Sequence, residues 1–233
     1  MGDGFLHKYF MHNANKKMQK WLHYFDIYEK HLERYRGKSP VMIEIGVQNG
    51  GSLQMWKEYF GRGAKIIGLD IDPQCKKHEA EDVEIFIGSQ DDPKVIDQIF
   101  RKYPIVDILL DDGSHKMEHM ISSFELIYER LQQNGIYLVE DIHSCYDPSL
   151  GGGIGRKNTF IDFAKSKLDE MNAGYVFRTN TKESILQGEK TSSLPITNFT
   201  CSTDSITFYG GMIIFERQKQ GVKTSCFTAG MQP

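Results

Sequence analysis

The sequence predicts an α/β fold: a mostly parallel seven-stranded sheet with helices on both faces. Two observations predict it. Short apolar runs alternate with amphipathic helical stretches from Val41 to Glu140, as they do when parallel strands are joined by crossover helices. Near the C-terminus, Ser205–Tyr209 and Met212–Glu216 flank Gly210-Gly211, a hairpin signal that adds two antiparallel strands.

Each element has its own warrant. Lys16 to Arg36 carries Trp21, Leu22, Tyr24, Phe25, Tyr28, Leu32 and Tyr35 at helical spacing, which predicts one or two N-terminal helices packed on the main domain. In this reading the basic run Lys16, Lys17 and Lys20 is a solvated helix face, and Trp21 and Trp56 are packing residues. Gly37-Lys38-Ser39-Pro40 breaks the pattern. Strands follow at Val41–Ile45, Lys65–Asp70, Val83–Ile87, Val106–Leu110 and Ile136–Glu140. Helices follow at Gly51–Phe60, Pro93–Tyr103, Met117–Gln132 and Thr159–Met171, each with apolar residues on one face. Leu150 to Gly155 is glycine-rich and reads as a mobile loop, Lys182 to Leu194 is polar, and Lys219 to Pro233 reads as a flexible tail. The expected organisation is an N-terminal helical segment over 1–40, a main domain over 41–218 and a tail over 219–233.

The chain has 233 residues, 39% hydrophobic and 25% charged, enough for one α/β domain with additions. A formal net charge of -3 argues against a general nucleic-acid binder. Cys75, Cys145, Cys201 and Cys226 are scattered and form no C-x-x-C pair, so a reduced, cytoplasmic protein is expected. Met1 to Asn13 has no continuous apolar stretch, and no window approaches a membrane span.

The chemistry gathers at strand ends. The fourth strand runs into Asp111-Asp112-Gly113-Ser114-His115 and the fifth into Glu140-Asp141-Ile142-His143. Ligand crevices in open α/β sheets lie beyond the carboxyl ends of the strands, and carboxylates gathered there are costly unless they hold a metal, a cation or a proton in transit. The first strand, Ile43-Glu44-Ile45-Gly46, passes through Val47-Gln48-Asn49-Gly50-Gly51-Ser52 into a helix. Gln48 stands where a dinucleotide fingerprint would have its middle glycine, and Glu44 suits a cationic ligand better than a pyrophosphate. Asp70 ends the second strand, where a carboxylate can accept from ribose hydroxyls. The third strand leads into Gly88-Ser89-Gln90-Asp91, where an adenine edge could be read.

The acid-x-Gly-x-x-x-Gly turn and the acid at the end of strand two resemble the class I S-adenosylmethionine-dependent methyltransferases, over about Val41 to Glu140 with the terminal hairpin as closing strands. That resemblance implies a Rossmann-like fold and a sulfonium cofactor. The cofactor-facing set it implies is Glu44, Gly46, Gln48, Gly50, Ser52, Asp70, Ser89, Gln90 and Asp111, with Asp111 read more simply as a structural or capping residue. The Asp112-Gly113-Ser114-His115 run and the Glu140, Asp141, His143, Tyr146 stretch resemble a narrower group. These are the Mg-dependent sugar O-methyltransferases of the macrolide type, with the cephalosporin-hydroxylase-related proteins as neighbours. That resemblance implies Mg²⁺ or Mn²⁺ held by Asp112, Glu140 and Asp141, and His115 as general base. The group's N-terminal Gly-Thr-Asp-Lys segment has its nearest counterpart in Asn13-Ala14-Asn15-Lys16-Lys17, while His23-Tyr24 and Tyr28 look more familiar.

Without the resemblance, oxygen-rich ligands still suit a hard cation, and a histidine beside it suits proton removal from a hydroxyl. His143 reads equally as a second base, a substrate contact or a satisfied loop histidine, and His119 as a surface residue. The implied acceptor is a sugar-bearing small molecule or glycan, with no nucleic-acid partner, no membrane insertion and a homo-oligomer through the N-terminal segment. A catechol-type methyltransferase is one alternative. A non-haem iron oxygenase using Asp112, His115 and His143 is another, and a non-catalytic nucleotide- or glycan-binding protein a third.

Overall fold

The computed structural model describes residues 4–173 and 194–218. The predicted tail, Cys226 and all but the last residue of Lys182–Leu194 lie outside the described residues. Strands β1 (Val41–Ile45), β2 (Lys65–Asp70), β3 (Val83–Ile87), β4 (Ile108–Asp111) and β5 (Ile136–Val139) run parallel. Strands β6 (Thr203–Tyr209) and β7 (Met212–Arg217) form the terminal hairpin, and β7 lies between β5 and β6, antiparallel to both. The sheet order is β3-β2-β1-β4-β5-β7-β6. It reverses direction between β1 and β4, which opens the crevice at which such sheets bind ligands.

Two-residue periodicity divides the strands between two cores. Met42, Ile66, Ile108, Ile136 and Leu138 pack with helices α1 (Phe5–Met11), α2 (Tyr24–Leu32) and α3 (Gly51–Phe60) on one face. Ile43, Ile67, Leu109, Tyr137 and Val139 pack with α4 (Pro93–Lys102), α5 (Met117–Ile127) and α6 (Phe160–Asn172) on the other. A short α7 (Asn198–Ser202) adds Phe199 to the second core. Strands buried on both faces read as continuous apolar runs, which is why their limits are visible in the sequence to within about two residues. Helix starts follow from capping chemistry: Asp92 accepts from the Lys94 N–H ahead of Pro93, and Thr159 accepts from the Asp162 N–H.

Two expectations are corrected. The predicted helix over Met117–Gln132 ends at Ile127, and its last turn tightens into a 3₁₀ segment over Tyr128–Arg130. The predicted helix from Lys16 begins only at Tyr24; residues 17–21 have no regular structure. The reason is tertiary. Lys20 is drawn into a cluster of carboxylates at the strand ends, a position a solvated helix face cannot supply. The glycine-rich loop is tied back on the preceding turn, Gly152 N–H donating to the Asp147 carbonyl at 2.8 Å and Gly153 N–H to that of Cys145 at 2.9 Å. Among the described residues, no helix is long and apolar enough to cross a membrane.

Helix α2 is fastened to the hairpin by Glu216 of β7. Its carboxylate accepts from Arg34 at 2.9 Å, Ser205 Oγ at 3.0 Å and His31 Nδ1 at 3.5 Å. The His31 bond, with Arg34 and Ser205, holds the carboxyl down to about 2 against the effect of burial. A carboxyl lowered from its ordinary 4.5 contributes stability above that value and loses it as pH falls toward the folded one. Glu216→Gln should therefore cost about 1 kcal/mol at pH 7. In urea titrations the gap from the wild type should close as pH falls from 4.5 toward 2.

Candidate functional site

A cleft of about 970 Å³ opens at the switch point, beyond the carboxyl ends of β1, β2, β4 and β5. Its two sides differ in chemistry.

The first side is the turn after β1. Gly46 has φ +93°, and a Cβ there would overlap the Asp112 carbonyl, so only glycine lets β1 and the loop after β4 come this close. Gln48 also takes a left-handed φ, 49°. The turn is held by Asp70. Its Oδ2 accepts from the Val47 and Gln48 N–H groups at 2.8 and 3.0 Å, and its Oδ1 from the Asp72 N–H at 2.9 Å. Burial opposes the charge, but these backbone donors outweigh it and hold the carboxyl below its usual range.

The second side is acidic. Glu44 on β1, Asp112 after β4, and Glu140 and Asp141 after β5 converge because parallel strands deliver their carboxyl ends to one edge. The Lys20 ammonium sits among them with its side chain 3% exposed. It donates to Asp112 Oδ2 at 2.6 Å and lies 3.0 and 2.9 Å from the two Glu140 oxygens, with Glu44 at 3.9 Å. Burial works against this ammonium, yet the Asp112, Glu140 and Glu44 charges prevail and raise its pKa. The Tyr28 hydroxyl donates to Glu140 Oε1. Burial raises the Glu140 carboxyl, opposed by Lys20, and pushes that of Glu44 up to about 7. No hydrogen bond of good geometry reaches either oxygen of the fully buried Glu44 among the described residues, although Ser52 and Trp56 lie near enough to oppose the rise.

Farther out, His115 Nε2 lies 3.6 Å from Asp112 Oδ1 and 3.8 Å from Asp141 Oδ2. Ligand atoms of Asp112, His115 and Asp141 all fall within 4.8 Å of one another. His115 and Asp141 both adopt left-handed backbones, φ 56° and 53°, a region that Asp and His enter more readily than most residues with a Cβ. The Tyr24 hydroxyl lies 2.9 Å from Asp141 Oδ1 and 2.8 Å from the Gly211 carbonyl, so its single proton serves one or the other. It also accepts from the Asp141 N–H at 3.3 Å.

The structure gathers Gly46, Gln48, Ser52, Asp70, Ser89, Gln90, Asp112, His115, Glu140 and Asp141 on the cleft wall. Four other residues named from the sequence take different places, Glu44 among them, fully buried under the acidic side. Asp111 is buried beneath the wall, bonded by Gln90 Nε2 at 3.1 Å and Ser123 Oγ at 2.8 Å. Gly50 supplies the left-handed cap of α3, φ +70°, and His143 stands 57% exposed with Nδ1 3.8 Å from Asp141 Oδ1. Gln90 is turned inward: its Oε1 accepts from the Ser114 N–H at 2.8 Å, so it braces the loop that carries Asp112 and His115. Two sequence readings are overturned here. Lys20 is a buried ion-pair partner, and Trp21 is 55% exposed at the cleft, its ring edge-on to His143 at 5.9 Å. Trp56 packs fully buried, as expected. Sequence reasoning noted Tyr24 and Tyr28 as familiar from the related group but gave their hydroxyls no partner. Their i, i+4 spacing, which puts both on one helix face, was the signal.

The family description "Rhamnosyl O-methyltransferase/CmcI" matches residues 28–148, just over half the chain. The chain belongs to this family. It is 36% identical over 165 residues to a demethylmacrocin O-methyltransferase of Streptomyces fradiae, covering 65% of this chain and 41% of that protein. It is 37% identical over 160 residues to a mycinamicin VI 2''-O-methyltransferase of Micromonospora griseorubida, covering 64% and 40%. Among solved structures it is similar to MycE methyltransferase from the mycinamycin biosynthetic pathway in complex with Mg and SAH. The TM-score is 0.73 at 25% identity, covering 91% of this chain and 53% of that one. A complex of MycE with Mg, SAH and mycinamycin VI gives a TM-score of 0.72 at 26% identity, covering 91% and 52%. The chain thus spans about two-fifths of the curated relatives and about half of the solved one. In this member of the rhamnosyl O-methyltransferase/CmcI family the matched region contains every acidic residue of the cleft floor but not Lys20.

Lys20→Met tests the pairing. Leaving buried carboxylates without their cation should cost about 3–5 kcal/mol at pH 8. Raised carboxyls take up protons on acidification, so the loss should shrink toward pH 5 in urea unfolding. A loss independent of pH, or none, contradicts the arrangement.

Proposed function

We propose that this chain is an S-adenosylmethionine-dependent O-methyltransferase acting on a hydroxyl of a sugar, carried by a natural product or a glycan, with Mg²⁺ or Mn²⁺ at the acidic side. The observation that carries the reading is that Asp70 and the Asp112–His115–Asp141 corner face one cleft from its two sides. The named activities of the relatives and the Mg and SAH in the MycE complexes support it.

The residues fit such ligands. The corner offers the carboxylate oxygens of Asp112 and Asp141, half-buried at 21–26% side-chain exposure, donors suited to a hard divalent ion, and leaves the His115 imidazole beside them free to act as a base. Three carboxylates, Glu44, Asp112 and Glu140, face the Lys20 ammonium and Asp141 adds a fourth beside them, a balance that favours cationic ligands. When bound, S-adenosylmethionine would supply an electrophilic methyl and the ion would acidify and orient the acceptor hydroxyl.

The chain's own groups have separable tasks. Asp70 keeps the turn after β1 rigid through three backbone N–H groups, and its carboxylate lines the cleft where a ribose hydroxyl could donate to it. His115 Nε2 takes the acceptor's proton, and the imidazolium formed faces Asp112 and Asp141. Tyr24 fixes Asp141, and Gln90 fixes the loop bearing His115, so the base is held in one direction before substrate arrives.

Transfer of labelled methyl from S-adenosylmethionine, with Mg²⁺, to a panel of deoxysugar-bearing natural products and of catechols tests the reading. Sugar acceptors should be labelled, and Asp112→Asn and His115→Ala should each slow transfer on the order of 10²–10⁴-fold. Labelling of catechols in preference to sugars, or full activity in both variants, would overturn it.

A further inference from the structure

The acidic floor is divided between two cations. Glu44, Glu140 and Asp112 Oδ2 face Lys20, whereas Asp112 Oδ1, His115 and Asp141 face the open cleft. Asp112 belongs to both halves. Glu140, expected as a metal ligand, has both oxygens within 3.0 Å of the ammonium, and one also accepts from Tyr28. A dication bound by Asp112, Glu140 and Asp141 would lie against the Lys20 charge, in surroundings that screen the repulsion poorly.

We infer that Lys20 is an exchangeable internal cation: its ammonium holds Asp112 and Glu140 when no metal is bound, and a divalent ion gains these ligands by displacing it. The inference rests on the metal-assisted reading above. Three features make exchange workable. A lysine is a point charge on a flexible stem. It stands on residues 17–21, which have no regular structure, so its departure breaks no helix. The displaced ammonium leaves behind Glu44, already pushed toward the protonated form by burial, which limits the charge left unpaired. The consequence is a site that stays paired while empty and binds divalent ions more weakly than its four carboxylates alone would.

Mn²⁺ titration of the chelator-treated full chain, followed by electron paramagnetic resonance without nucleoside or acceptor, tests this. Lys20→Met should bind Mn²⁺ about tenfold or more tighter than wild type, because both the competitor and its repulsion are gone. Lys20→Arg should stay weak. Mg²⁺ should raise the melting temperature of Lys20→Met more than that of wild type. Equal or weaker Mn²⁺ binding by Lys20→Met would overturn the inference, as would no binding by either protein. If Lys20→Met does not fold, acetylation of wild-type Lys20 by an N-hydroxysuccinimide ester, read by peptide mass spectrometry, replaces it. The rate should rise at saturating Mn²⁺, and an unchanged rate would overturn the exchange. Because no methyl donor is present, failure here leaves the transferase reading standing, and failed methyl transfer leaves the Mn²⁺ result standing.

Discussion

Parallel strands bring their carboxyl ends to a single edge, and in this protein that edge is acidic. Glu44, Asp112 and Glu140 come from three adjacent strands and would repel one another in a buried floor; the Lys20 ammonium makes their convergence tolerable. The same edge is gripped from α2, with the Tyr28 hydroxyl donating to Glu140 and the Tyr24 hydroxyl beside Asp141. At the other end of the same helix His31, and Arg34 in the turn just beyond it, reach Glu216 of the hairpin. The N-terminal segment therefore completes the site as well as covering one face of the sheet.

Most of the fold was legible because it is written in short-range periodicity. Met42 and Ile43 fall into opposite cores, as do Leu138 and Val139, and that two-residue alternation marks strands between helical layers. Asp70, Asp112, His115, Glu140 and Asp141 were legible as cleft residues because each stands at or just beyond a strand end. Lys20 was not. Lys16, Lys17 and Lys20 look alike in sequence, and the partners that bury one of them lie 92 and 120 residues away. Trp21 failed for the same reason: its neighbour turns inward and leaves the indole at the cleft. The left-handed backbones of Gln48, His115 and Asp141 were also invisible, since residue type does not demand them. Gln90 was placed at the cleft, but its bonds to Asp111 and Ser114, which make it a brace, depend on the folded loop.

The two sides of the cleft are built by different means. The β1 turn is held by backbone donors on one carboxylate, an arrangement that is rigid and nearly saturated. The acidic side is held by side chains from α2 and the segment ahead of it, and its charges are only partly balanced. A preformed pocket beside an under-neutralised one suits a cationic nucleoside on one side and a metal-assisted hydroxyl on the other. Left-handed backbone occurs on both sides, at Gln48 in the β1 turn and at His115 and Asp141 on the acidic side.

The proposed function requires Asp70 and the turn it holds to form the nucleoside site for S-adenosylmethionine. Calorimetric titration of S-adenosylhomocysteine into chelator-treated protein, for wild type and for Asp70→Ala, tests it most directly. The account predicts micromolar binding by the wild type, lost or weakened at least about tenfold in the variant. No binding by the wild type, or equal binding by both, would contradict it.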